Sequence, residues 1–210
     1  MCGRIAQTHT PDELSELLGV TSGLDQLDGI APSYNVPPSA QLPGLIAENN
    51  VLEWSTFTWG LLPVWNKDGR TMINARSETV AQKPMFRRAF KHRRCVFPVT
   101  AYYEWLPQPG RPKQPYCIRP QAEEQLLLAG IYENGRCAIL TRAAREDFAF
   151  IHDRMPVALP QDLVDLYLTA EQPSFVFEAA EDLALHAYPV TRLVGNPRFN
   201  DPSCLEPLSS

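Results

Sequence analysis

No two cysteines in the chain are spaced C-x-x-C, and no short-spaced Cys/His clusters are paired, so nothing in the pattern suggests a structural zinc site. The cysteines number five, at Cys2, Cys95, Cys117, Cys137 and Cys204. An odd set without framework spacing reads as free thiols in a reducing cytosol. No apolar run is long enough to cross a bilayer. The first residues lack the basic-then-apolar order of a secretory signal. Glycine is scarce, 11 residues against 20 prolines, which favours short strands and fixed turns over long helices. Disorder is excluded by a composition that is 44% hydrophobic and 20% charged.

At 210 residues the chain is long enough to bury a full core without staples, and no linker or repeat divides it. A net charge of −5 argues against indiscriminate nucleic-acid binding. The charge is uneven, however. Residues 66–94 hold nine Lys/Arg against Asp68 and Glu78, a local +7 on an acidic protein. Such a tract fits one local anionic partner or a solvated helix face.

Thr10-Pro11-Asp12-Glu13 is a helix start: Thr10 caps, Pro11 takes the first helical position, and Glu13 completes a capping box. Leu14, Leu17 and Leu18 form its apolar face, and Gly19 ends it. Leu45–Ala47 and the alternating run from Val51 to Trp59 flank a Glu48-Asn49-Asn50 turn and predict a hairpin. A helix is expected from Ser77 to about Phe90, kinked near Pro84. CVFPV, AYYEWL, YCIRP, LLLAGIY and CAILT read as strands, and Ala187–Val190 as a late one. Short helices are expected over 160–168 and 174–180, and the last ten residues as a loose tail. Together these predict one domain over 1–210 of α+β class: a curved, barrel-like, mostly antiparallel sheet flanked by short helices.

Three polar groups stand among apolar neighbours: Asn74 after Met72-Ile73, Glu104 inside YYEW, and His152 after Phe150-Ile151. A carboxylate between aromatics on a strand is costly unless it is paired or functional. Each fits either a hydrogen-bonded anchor or a reacting group.

The opening MCGRIA carries the most chemistry. Methionine is generally removed before a small residue, which leaves Cys2 with an α-amine and a thiol on adjacent carbons. The amine has a reference pKa of about 7.7–8.0, so an appreciable fraction is uncharged at neutral pH. The thiol, near about 8.5, needs activation. Two chemistries follow. The thiolate can attack a carbonyl with the amine as its base, or the amine can condense with an aldehyde and the thiol close a thiazolidine ring. The second route needs an aldehyde and proton shuttles, but no cofactor or metal. The ring-opened sugar of an abasic DNA site is one such aldehyde. Trapping it calls for cations at its phosphates, an acid/base group and stacking surface.

The stretches MCGR (1–4), SYNVPP (33–38), WGLLPVW (59–65), NARSET (74–79), PVTAYYEW (98–105), HDRMPV (152–157) and VGN (194–196) together resemble the SOS response-associated peptidase (SRAP) family, which shields abasic sites in single-stranded DNA. The resemblance implies that Cys2 crosslinks the sugar aldehyde after Met1 is removed, and that Asn74 positions the adduct. It implies Glu104 as the acid/base for ring opening and imine formation, and His152 as a proton carrier in ring closure and reversal. Arg76 and Arg154 would clamp flanking phosphates, with Arg4 as a further contact and Pro38 and Trp65 as stacking or wedging surface. Lyase cleavage by β-elimination and self-removal of Met1 are further implied activities. The implied partner is single-stranded DNA with abasic sites, with replication-fork proteins as further candidates. The protein is expected to be a cytoplasmic monomer that is nucleoid-associated when on DNA. Three positions depart from the family pattern: Ala101 for a usual glycine, Asn66 for a second tryptophan in some members, and Pro37 for a commoner alanine. Two other functions remain open on the residues: an N-terminal-cysteine amidohydrolase or amidotransferase, and a non-covalent single-strand binding module.

Overall fold

The computed structural model describes residues 2–62, 69–121, 125–179 and 183–208. In chain order the strands are β1 (Ile5–Gln7), β2 (Ser33–Val36), β3 (Gln41–Glu48), β4 (Val51–Trp59), β5 (Asn74–Arg76), β6 (Arg94–Val99), β7 (Ala101–Gln108), β8 (Arg111–Pro120), β9 (Leu126–Glu133), β10 (Arg136–Ala143), β11 (Arg154–Pro156), β12 (Ala158–Leu159) and β13 (Leu185–Pro189). The helices are short: α1 (Pro11–Leu18), α2 (Arg87–His92), α3 (Val164–Thr169) and α4 (Val176–Ala179). The class is α+β, as the sequence predicts.

One sheet has the order β13-β8-β7-β1-β2, which places β1 inside the sheet rather than at its edge. The other runs β11-β10-β4-β3-β6-β9-β12, and a second pairing of β10 with β9 makes a partly closed ring of β3, β4, β10, β9 and β6. Most pairings are antiparallel; β10 meets β4 and β5 in parallel. Closing the ring removes the exposed edges that an open sheet would leave. Phe97 of β6 packs between Gly130 and Gly44, where a Cβ would come within 2.5 and 2.9 Å of its ring. Those glycines are the close approach that lets an aromatic side chain fill this place.

β6 and β7 are nearly one strand that passes from the ring to the other sheet at Thr100. The Thr100 amide donates to Ala6 O at 2.8 Å. Ala101 is fully buried and is not among the residues with positive φ, so alanine serves here without backbone strain. This passage carries the ring directly into the sheet that holds β1.

Local signals explain several elements. Thr10 and Glu13 form the expected capping box, and Gly19 closes α1 in the left-handed conformation at φ 66°. Asn49 and Asn50, at φ 50° and 62°, make the two-residue turn between β3 and β4. Two positive φ values match the twist of a hairpin. Residues 77–86 are turns, and only Arg87–His92 is helical, so the predicted helix from Ser77 is corrected. Pro84 explains the late start: it cannot donate a helical hydrogen bond, and it biases Lys83 away from helical ψ. The predicted helix over 174–180 reduces to a 3-10 turn and α4, with residue 180 outside the described residues.

The expected loose tail is also corrected as far as residue 208. Asp201 caps a 3-10 turn over Pro202–Leu205, and Cys204 is fully buried. Tyr188 donates to Leu205 O at 2.8 Å, and the Leu208 amide donates to Pro189 O at 2.9 Å. Polar ends with small apolar anchors conceal such docking in the sequence.

The basic tract is not uniform. Arg94 is 7% exposed and directs its guanidinium at five carbonyl oxygens, those of Tyr167, Phe90, Lys91, Leu168 and Ala170. It thereby satisfies carbonyls at the C-terminal ends of α2 and α3 that no helical amide reaches. Burial lowers its pKa, and the carbonyls compensate for the lost water.

Candidate functional site

The fold brings three separated stretches of sequence, those of Asn74, Glu104 and His152, to the start of the chain. β1 pairs with β7 at Ile5↔Tyr102, and the Tyr103 amide donates to Arg4 O at 2.9 Å. Following that antiparallel register back from Ile5 brings Gly3 and Cys2 alongside Glu104. Cys2 is fully buried. Burial, and next the nearby Glu104 carboxylate, push its thiol pKa far up, so the resting group is the thiol and not the thiolate.

Asn74 reaches Cys2 from the other sheet. β5 pairs with β10 at Ile139↔Asn74, and strand alternation puts Asn74 and Arg76 on one face while Ala75 enters the core. Asn74 Nδ2 donates to Cys2 O at 2.7 Å. Its Oδ1 is buried and accepts no hydrogen bond among the described residues. A buried acceptor left open is costly in a resting protein, and here it is available to a donor on a ligand.

Glu104 sits on β7 at 4% exposure, and burial raises its pKa, opposed in part by the positive charge that His152 can carry. A raised carboxyl pKa favours the protonated acid, which can donate to a leaving oxygen. Glu104 and His152 line one small cavity of about 10 Å³ with Tyr102, Phe148 and Met155.

His152 stands in the turn before β11. Its Nδ1 lies 3.0 Å from the Arg154 amide and 2.8 Å from Asp153 Oδ1. One ring nitrogen cannot accept from an amide and donate to a carboxylate together. Asp153 is 86% exposed, where water competes for it, so the amide decides the tautomer: Nδ1 accepts and Nε2 carries the proton.

The arginines differ in how they are held. Arg76 is exposed at the end of β5, beside Asn74. Arg154 is 13% exposed along its side chain and forms a two-pronged pair with Glu78, one prong at 2.8 Å. It also donates to Thr141 O at 2.6 Å. Any phosphate reaching Arg154 meets a guanidinium already engaged by a carboxylate. Arg4 is half-buried, and its Nη1 donates to Asn35 Oδ1 at 2.7 Å and to Val194 O at 2.8 Å. Asn35 in turn donates to Asn196 O and Phe199 O. Arg4 thus ties the segment after Cys2 to β2 and to the VGN turn. Pro38 is half-buried in the turn after β2, just before Ser39 at φ 72°. Trp65 and Met1 lie outside the described residues.

Glu78 and Asn35 are the residues that sequence reasoning left without a role. Both lie inside quoted stretches, NARSET and SYNVPP. The signal was an acidic residue two positions beyond Arg76 and an amide beside a buried strand, neither of which points to its partner without the fold.

The sequence matches the family described as SOS response associated peptidase (SRAP) over residues 1–197. It is 32% identical to the abasic site processing protein YoqW of Bacillus subtilis over 98% of this chain and 99% of that one. It is 30% identical to the abasic site processing protein YedK of Escherichia coli, covering 99% and 100% of the two chains. A solved structure of a protein from Bacteroides thetaiotaomicron superposes with a TM-score of 0.79 at 24% identity, covering 98% of this chain and 99% of that one, a likeness of fold. A phage-related protein from Bordetella bronchiseptica superposes at 0.72 with 28% identity, over 91% and 95% of the chains. With the family match spanning nearly the whole chain and full-length relatives at 30% identity or more, this chain belongs to the SRAP family.

Proposed function

We propose that this protein processes abasic sites in single-stranded DNA by forming a covalent thiazolidine with the exposed sugar aldehyde, using Cys2 as the first residue once Met1 has been removed. The observation that carries this reading is the convergence on Cys2: the Asn74 amide on its carbonyl, and Glu104 and His152 in one adjoining cavity. The full-length relatives named for abasic site processing support the same substrate.

The buried thiol favours a sequence in which the amine reacts first. The α-amine of Cys2 adds to C1′ of the ring-opened sugar. Glu104, in its acid form, gives a proton to the departing hydroxyl, water leaves, and a C=N bond remains. The resulting Glu104 carboxylate then takes the thiol proton as sulfur adds to C1′, the nitrogen keeps the hydrogen it carried in the protonated C=N bond, and His152, in the same cavity, relays protons between Glu104 and water. One water is lost, one C–N and one C–S bond form, and no oxidant or metal enters. The same imine acidifies the C2′ proton, so β-elimination competes with ring closure. Closure protects the strand as long as the thiol is present.

The test is direct. Processed protein is incubated with single-stranded DNA containing one abasic site and run on a denaturing gel. Wild type is expected to give a retarded band that survives boiling, and Cys2→Ala none. A wild-type protein of verified N-terminus that leaves the DNA unshifted overturns the proposal. Ammonia released from glutamine instead would establish the amidotransferase alternative.

A further inference from the structure

The basic tract divides once the structure is in hand. Arg93 pairs with Glu133, and Arg94 is occupied by carbonyls. Arg76, Lys83, Arg87, Arg88 and Lys91 are different. All five are exposed, and none of their side chains makes a hydrogen bond or ion pair among the described residues. Cations along one segment with no carboxylate engaged repel one another, and an anionic chain laid along them relieves that repulsion.

A groove of about 500 Å³ begins at Asn74 and runs between β5 and residues 79–86. Met72, Met85 and Phe86 give it an apolar lining, and Arg76 and Lys83 line it too. Met72 is 41% exposed, so the apolar surface is open to a ligand. Beyond Phe86, Arg87, Arg88 and Lys91 of α2 line a second groove of about 610 Å³, which also contains Glu171. Arg87 and Lys91, four positions apart, share one helix face. Apolar and aromatic surface bordered by unpaired cations is the chemistry that holds single strands: bases pack on the first and phosphates meet the second.

We propose that residues 76–91 form a track that carries the unpaired strand away from the reacted sugar. The neighbouring base lies in the groove against Met72, Met85 and Phe86, and the backbone passes Arg76 and Lys83 toward the α2 cations. This inference rests on the abasic-DNA reading for where the strand starts.

The test uses Cys2→Ala protein, which cannot close the thiazolidine, and a tetrahydrofuran analogue at the abasic position, which offers no aldehyde to the α-amine, with fluorescence anisotropy as the readout. Three labelled abasic oligonucleotides are compared: one confined to the lesion and its immediate neighbours, one extended on the 5′ side and one on the 3′ side. Adding Arg87→Ala, Arg88→Ala and Lys91→Ala together is expected to weaken binding of one extended oligonucleotide and leave the short one unchanged. For that oligonucleotide the slope of log affinity against log salt becomes shallower by about 2, since each single-strand phosphate contact contributes about 0.7. Arg87→Lys together with Arg88→Lys, with Lys91 retained, should keep the wild-type slope, which separates charge from folding. Unchanged affinity and slope on both extensions overturns the track, as does equal loss on all three oligonucleotides. A wild-type protein that binds with this pattern yet never crosslinks would overturn the covalent chemistry and leave the track standing.

Discussion

Asn74 holds the main-chain carbonyl of Cys2 at 2.7 Å across the gap between two sheets. The bond fixes Cys2, the residue proposed to react, through its backbone and not through its sulfur. Asn74→Leu keeps the bulk and removes the donor. Loss of one hydrogen bond worth about 1.4 kcal/mol in the transition state corresponds to about tenfold in rate. Crosslinking by Asn74→Leu, timed on denaturing gels, is expected to slow by at least that factor. Wild-type kinetics would remove Asn74 from the chemistry.

Glu104 sets activity against stability. Burial raises its folded-state pKa above the unfolded value, so the folded protein binds the proton more tightly. The sign follows from linkage: this contribution is fully present below the unfolded pKa and is lost as pH rises through the folded one. Glu104→Gln is therefore expected to flatten the fall in Tm as pH rises above the ordinary glutamate range. The same change is expected to slow crosslinking by about 10²- to 10⁴-fold, because an amide cannot exchange protons. Thermal melts across pH and gel kinetics on the same protein check both.

Glu78 and Arg154 are a coupled pair. Their two-pronged contact orients the residue whose amide fixes the His152 ring. A double-mutant cycle with Glu78→Ala and Arg154→Ala is expected to give a coupling of about 1 kcal/mol in urea melts, the upper end for a partly exposed pair. Glu78→Gln is expected to slow crosslinking while the fold is kept, because the two-pronged partner of Arg154 is weakened. A coupling near zero with an unchanged crosslinking rate would make the pair a surface accident.

Arg94→Met tests the buried cation. The thioether fills much of the space but donates to none of the five carbonyls that Arg94 satisfies. The expected cost is at least about 3 kcal/mol of unfolding free energy. Arg94→Lys should recover only part of it, because an ammonium has three donors and no planar fork. Denaturant midpoints for the two variants check the order.

Much of this was readable before folding. The capping box at Thr10, the Asn49-Asn50 turn and the central strands follow local rules whose partners lie within a few residues. The convergence of Asn74, Glu104 and His152 on Cys2 came through the family resemblance. Composition alone marked them only as polar groups in apolar surroundings. What stayed hidden depends on distant partners. The engagement of Arg154 by Glu78, and of Arg4 by Asn35 and Val194, bridges 76, 31 and 190 positions. The basic tract looked uniform because charge is visible in a sequence and burial is not. Arg94 and Lys91 read alike until the carbonyls of α3 appear beside one of them. The helix expected from Ser77 failed for a local reason, Pro84, that the sequence also contained.

The interior position of β1 sets a timetable for biosynthesis. Its flanking strand β7 is made only when residues 101–108 leave the ribosome. At about 5–20 residues per second, the opening residues wait for about 5–20 s without their neighbour. In that window Cys2 and the residues after it lack the strand that later buries them. The sheet around β1 thus closes late in synthesis, and a slower ribosome delays that closure further.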